Sequence, residues 1–318
     1  MKTKYIKIVF TLIITCFTYS CSDDFLEVIP KGVLVAETTD DYNLMLNSNS
    51  LWGYSSPEIF ASFETCALNP YWSNSKKSEA QLNWFKWEPI TFSDQNQFGS
   101  VMLDFTEDIY VFNKVINEVL SSTGGSETEK NIIREQARAA RAFVYFKLVN
   151  FFGKPYNAAT ASTDLAVPLI MDADVTVDSF TRATVQEIYD FIIEDLTTAI
   201  PLLPNDANVN VRMYKASAKA LLAEVYVHMN KFSEALTLFD EAIAETPARV
   251  KLFNYNETTL PGGIHAAGPI GPQFLWPIDN TFSLYDYSLF HSDGFTNGDV
   301  LLSPEVSALY GASDFRLH

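Results

Sequence analysis

The residues best suited to chemistry in this chain are flat rings interleaved with amides. The stretch LNPYWSNSKKSEAQLNWFKWEP, residues 68–89, sets Tyr71, Trp72, Trp84, Phe85 and Trp87 among Asn69, Ser73, Asn74, Ser75 and Asn83. A pyranose ring has an apolar C–H face that stacks on an aromatic ring, and hydroxyls that need donors and acceptors arranged around it. The pattern therefore points to sugar recognition, which needs no bond to be broken. Trp52, Tyr54, Phe60, Phe63, Phe92 and Phe98 enrich the same region, and Trp276 lies in the segment after Pro247. Trp72 and Trp276 lead as ligand contacts, followed by Tyr71, Trp84, Asn69 and Asn74. Any one tryptophan is better explained by the small core that a long loop needs for itself. As a group the rings favour a ligand.

Catalytic chemistry has weaker support. A surface glycoside hydrolase needs two carboxylates at a set separation, one of them with a raised pKa. The 39 acidic residues leave such a pair open. No G-x-S-x-G elbow, H-E-x-x-H helix or phosphate-binding loop is present in the sequence. His228, His265, His291 and His318 are scattered. HSDGFTNGD, residues 291–299, offers Asp293, Asn297 and Asp299 as oxygen ligands, but their spacing is not that of an EF-hand loop. It reads as a polar turn. No catalytic residue, metal ligand or cofactor is assigned.

The beginning of the chain carries a different chemistry. MKTKYIK is basic, and IVFTLIITCF, residues 8–17, is almost unbroken apolar. A bilayer span needs roughly 20 apolar residues, so the run fits the core of a secretory signal instead. Ser20 then precedes Cys21, with acids behind it at Asp23 and Asp24. This arrangement resembles the bacterial lipoprotein box, although Thr18 and Tyr19 depart from its usual leucine and small residue. The resemblance implies cleavage before Cys21 and a diacylglycerol on its sulfur. Each buried methylene of such a chain contributes about 0.8 kcal/mol, so two or three chains would anchor firmly. Ser22, Asp23 and Asp24 resemble the surface-export signal of Bacteroidetes lipoproteins. Cys16, the rival acceptor, lies inside the apolar run.

Loss of residues 1–20 removes three lysines and takes the net charge from −17 to −20. So acidic a chain is repelled by nucleic acid phosphates. With Cys16 lost and Cys21 acylated, Cys66 has no partner for a disulfide. Stability must come from a large core, which a hydrophobic content of 47% in 318 residues can supply.

The elements that must position the rings are helical. Periodicity predicts helices over 38–48, 101–122, 127–152, 184–204, 214–230 and 233–247. Thr39 or Asp40 would cap the first, and Thr184 with Glu187 forms a capping box on the fourth. Gly124 and Gly125 end the second; Gly153 and Pro155 end the third. The last two helices share a very short turn. Leu222, Ala223, Tyr226, Ala235, Phe239, Ala242 and Pro247 fall in the spacing of the tetratricopeptide repeat. Ile192, Leu196, Ala199 and Pro204 repeat the second half of that spacing. Such units stack because one alone cannot bury its apolar face. The expected fold is all-α, with tetratricopeptide-like repeats and aromatic-rich insertions at about 50–100, 153–183 and 248–300.

REQARAARAFVYFKLVNFFGKPY (134–156), LAVPLI (165–170), TRATVQEIYDFIIEDLTTAIPLLP (181–204) and KASAKALLAEVYVHMNKFSEALTLFDEAI (215–243) follow the cysteine and DFLEVIPKG in this order. Together they resemble the SusD/RagB family of nutrient-binding outer-membrane lipoproteins over nearly the whole chain. Ala139 and Ala140 replace a usual leucine, and Phe152 a usual tyrosine. Members generally continue beyond the point where this sequence stops, so a C-terminal portion is expected to be lacking. The resemblance implies a signal peptide over 1–20, a lipidated tether over 21–37 and a helical α-α superhelix over 38–318. It implies a non-catalytic protein that captures oligosaccharide, polysaccharide or sometimes peptide. Such a protein passes its ligand to a TonB-dependent, SusC-like transporter. A hydrolase, and a repeat scaffold that binds only protein, are the alternatives.

Overall fold

The computed structural model describes residues 36–48, 51, 65–66, 79–90, 95–177, 179–206 and 212–247, and near the end 301–302, 305 and 308–309. Helices dominate. They are α1 (Thr39–Met45), α2 (Glu79–Phe85), α3 (Gln95–Glu118), α4 (Glu127–Phe152), α5 (Val185–Ala199), α6 (Lys215–His228) and α7 (Phe232–Glu245). A 3₁₀ turn, Val119–Ser121, prolongs α3. Two antiparallel strand pairs accompany them: β1 (Thr65–Cys66) with β4 (Leu301–Leu302), and β2 (Leu165–Pro168) with β3 (Arg182–Thr184). All six predicted helices are present, and α2 is an addition inside the first expected insertion.

Local chemistry sets the helix starts. Thr38, one residue before the expected caps, begins α1: its hydroxyl accepts from the Asp41 N–H, and the Asp41 carboxylate accepts from the Thr38 N–H. Ser126 with Glu129 does the same for α4, and Thr184 with Glu187 for α5. Each such box satisfies N–H groups that the first turn leaves open. Gly125 sits at φ +62°, and a Cβ there would meet the Thr39 side chain at 2.7 Å. That closeness lets α1 dock on the α3–α4 turn, where Thr39 bonds the Ser122 hydroxyl and the Thr123 and Gly124 carbonyls.

α4 is the central helix, with α3 and α5 packed on it, α6 on α5, and α7 on α6. Alanine explains the close approach: Ala137, Ala139, Ala140 and Ala142 are all buried, so the helices meet with little side chain between them. Phe143, Tyr145, Phe146, Leu148 and Val149 fill the adjoining layers. α3 buries Phe105, Ile109, Phe112 and Val119 as its period predicts, but Val115 takes the core position in place of Ile116. In the α6–α7 hairpin, Ala223, Ala235 and Ala242 are buried at the seam, and Lys219 bridges it to Glu241 and Glu245 at 2.7 Å each.

One polar cluster crosses this core. Arg141 on α4 is 4% exposed and Asp195 on α5 is 1% exposed. They make two parallel hydrogen bonds of 2.9 Å, while Arg141 Nη1 donates to Asn113 Oδ1 on α3 at 2.8 Å. Asn113 in turn donates to the Ile170 carbonyl, and Tyr145 exchanges hydrogen bonds with the Ile170 backbone. The insertion between α4 and α5 is therefore pinned to the scaffold at Ile170. Burial pushes the Tyr145 hydroxyl up to about 12.

Candidate functional site

Of the predicted ligand contacts, Trp84 lies among the described residues. Tyr71, Trp72, Asn69, Asn74 and Trp276 fall outside them, as do Cys21 and the 291–299 run. Trp84 is on α2 and half-buried. Its ring stands edge-on to Phe151, with centroids 5.9 Å apart and planes at 84°. Phe151 also meets Phe105 of α3 at 6.5 Å and Phe152 at 4.7 Å. Edge-to-face ring pairs add about 0.5–1.5 kcal/mol beyond the area they bury. Trp84 is thus the ring by which α2 grips the end of α4.

The chain leaves α2 through a turn that sequence reasoning did not rank. Trp87 N–H donates to the Trp84 carbonyl at 3.0 Å, and Glu88 N–H donates to the Asn83 carbonyl at 2.9 Å. This pair of bonds is the Schellman motif, with Trp87 at the position that adopts the left-handed conformation. Its φ is +56°. α6 ends in the same way: Asn230, at φ +59°, donates to Val227 and is followed by Lys231 donating to Tyr226. Asn is tolerated there and Gly is usual, whereas a bulky side chain costs roughly 1–2 kcal/mol. Trp87 gains little burial in return, being 74% exposed. Ile90 is also exposed. Pro89, two residues past Trp87, is the sequence signal for this turn.

The buried carboxylates are engaged elsewhere. Glu135 takes Arg134 at 2.7 Å and Arg138 at 2.8 Å, and Asp195 takes Arg141 and Arg138. Burial holds the Asp195 carboxyl above its ordinary range, against the pull of those two guanidiniums. Both acids face fixed cations within the scaffold, an arrangement suited to holding helices together. His228 packs edge-on to Phe146 at 4.9 Å, and burial lowers its pKa, which favours the neutral ring. Among the described residues no group of three or more His, Cys, Asp or Glu side chains is placed to hold a metal ion.

The comparison with known families agrees with the helical order. A family model described as starch-binding associating with outer membrane matches residues 24–227, from ahead of α1 to near the end of α6. The chain belongs to this SusD-like family. SusD-like protein P2 of Formosa agariphila is 29% identical over 248 residues, which is 73% of this chain and 45% of that protein. A SusD superfamily protein from Bacteroides thetaiotaomicron matches with a TM-score of 0.59 at 21% identity, over 69% of this chain and 49% of the other. A laminarin binding SusD-like protein matches with a TM-score of 0.52 at 20% identity, covering 70% and 48%. These solved structures establish the SusD-like all-α, tetratricopeptide-like fold. The chain spans about half the length of these relatives.

Proposed function

We propose that this SusD-like chain is a non-catalytic lipoprotein of the outer membrane. In this reading it binds a glycan, or another oligomeric nutrient, and delivers it uncut to a TonB-dependent, SusC-like transporter. The observation that carries the reading is the packing of α2, within the aromatic insertion, on the scaffold. Trp84 and Phe151 tie α2 to the end of α4, which gives Trp84 a firm base. Rings that bind sugar need such a base, because ordering them on binding would consume affinity. The family is described as starch-binding, and one fold neighbour as laminarin binding, which agrees with a sugar ligand. Trp72 and Trp276 are proposed as the main contacts, with Tyr71, Trp84, Asn69 and Asn74 around them. Residues 1–20 are proposed as the signal, Cys21 as the acylated residue and 21–37 as the tether.

Electrophoresis through gels containing soluble starch or laminarin tests this. Retarded migration without release of reducing ends is expected. Trp72→Ala combined with Trp276→Ala should abolish retardation and leave the helical circular-dichroism signal intact. Normal retardation of the double variant would reject those two contacts. Release of reducing ends would make the protein a hydrolase. Co-purification with the transporter but no glycan retention would make it a protein-binding scaffold.

A further inference from the structure

We infer that Trp87 is a sugar-stacking residue, held by a left-handed helix terminus so that its indole stands clear of the fold to receive a pyranose ring. The inference rests on the glycan-binding reading above and adds a contact to it.

Neither backbone preference nor packing explains a tryptophan at this position. The described residues with φ in the left-handed region are Gly124, Gly125, Asn230 and Trp87. The first three are the residue types that tolerate this conformation. Trp87 is the type that does not, and its ring recovers little by burial because 74% of the residue is exposed. A residue that strains the backbone and packs against little persists when something outside the fold uses it. The strain is enforced from both sides. The two Schellman hydrogen bonds close the turn, and Pro89 fixes the backbone just beyond it. Trp84, three residues earlier, is packed against Phe151, so the indole of Trp87 projects from an anchored helix end.

The surroundings fit a sugar. Lys86 and Glu88, the chain neighbours of Trp87, are both exposed, so a cationic donor and an anionic acceptor belong to the same turn. An indole face takes the C–H face of a pyranose, and the two charged neighbours suit the hydroxyls at its rim. Ile90, three residues on, is a second exposed apolar side chain. A hot spot for a protein partner is instead ringed by contacts that exclude water.

The test compares Trp87→Gly, Trp87→Ala and Trp87→Tyr in the full chain. Gel retardation in laminarin and in soluble starch is read beside thermal unfolding. Wild type should be retarded by at least one polysaccharide. Trp87→Gly should weaken that binding about tenfold or more. It should also melt at the wild-type temperature or about 2 °C above it, because glycine relieves the strain. Trp87→Ala should lose binding without the thermal gain, and Trp87→Tyr should keep most of the binding. Unchanged retardation of Trp87→Gly overturns the inference and leaves the glycan reading standing. A glycine variant that melts well below wild type overturns it too, since the ring would then be packing. So does loss of transporter co-purification with glycan binding intact, which would make Trp87 a protein contact. Wild-type protein that neither polysaccharide retards overturns the inference and the glycan reading together.

Discussion

Asp195 shows how a single side chain can hold three helices and an insertion in register. Its carboxylate takes both Arg141 and Arg138 from α4, and Arg141 passes a further bond to Asn113 on α3. Asn113 then carries the register to the Ile170 carbonyl. Burial raises the Asp195 pKa despite the two guanidiniums, which says that desolvation outweighs their attraction. A buried ion pair of this kind adds little net stability, yet breaking it leaves a cation stranded in the core. Asp195→Asn should therefore destabilise the fold by about 3–5 kcal/mol. Replacing both partners, Arg141→Met with Asp195→Leu, should restore most of that loss. Urea unfolding of the three variants checks this; a double variant no better than the single one would show that the pair itself is a large net stabiliser. No sequence pattern announces the contact, because Arg141 and Asp195 are 54 residues apart. Thr184 and Glu187 were legible as a cap because three residues of helix geometry alone bring them together.

At the level of elements, the α6–α7 hairpin is the most readable part of the chain. Its small residues are small for a reason that the structure makes physical. Ala223 and Ala235 are buried where the two helices close, and a larger side chain has nowhere to go. Ala235→Leu should cost about 1–3 kcal/mol through overpacking. Leu236→Ala, on the exposed neighbouring position, should change stability by a few tenths of a kcal/mol. Equal effects at the two positions in thermal unfolding would reject the seam. Long amphipathic helices such as α3 and α5 were equally legible, because burial of one face repeats over several turns. α2 was not. A helix of seven residues is marginal without tertiary support. What supports it is Trp84 on Phe151, a contact between residues far apart in sequence. Trp87 was hidden for a related reason: sequence gives its type, but exposure and a positive φ belong to the folded turn. The β2–β3 pair escaped too, since each strand is only a few residues long, with β2 held against α4 and α5.

At the level of the whole molecule, the described scaffold shows an apolar face on α7 and the chain carries a strong charge. A stack of repeats normally ends in a polar outer face. On α7, however, Phe232, Leu236 and Ile243 are 60%, 63% and 74% exposed, spaced so that they share one side of the helix. The net charge of −17 gives long-range repulsion from anionic surfaces, so attachment to a membrane requires a specific device. Among the described residues no helix is long and apolar enough to cross one. Acylation at Cys21 is the device proposed here, since two or more acyl chains supply the affinity that charge opposes. Two variants separate the tether from the export signal behind it. Cys21→Ser should move the protein from the membrane fraction to the soluble one. Asp23→Ala with Asp24→Ala should leave it in the membrane fraction but protect it from protease added to intact cells. If Cys21→Ser still sediments with membranes after an alkaline wash, the sulfur is not the tether. If the double alanine variant is cleaved on intact cells as readily as wild type, the two acids carry no address.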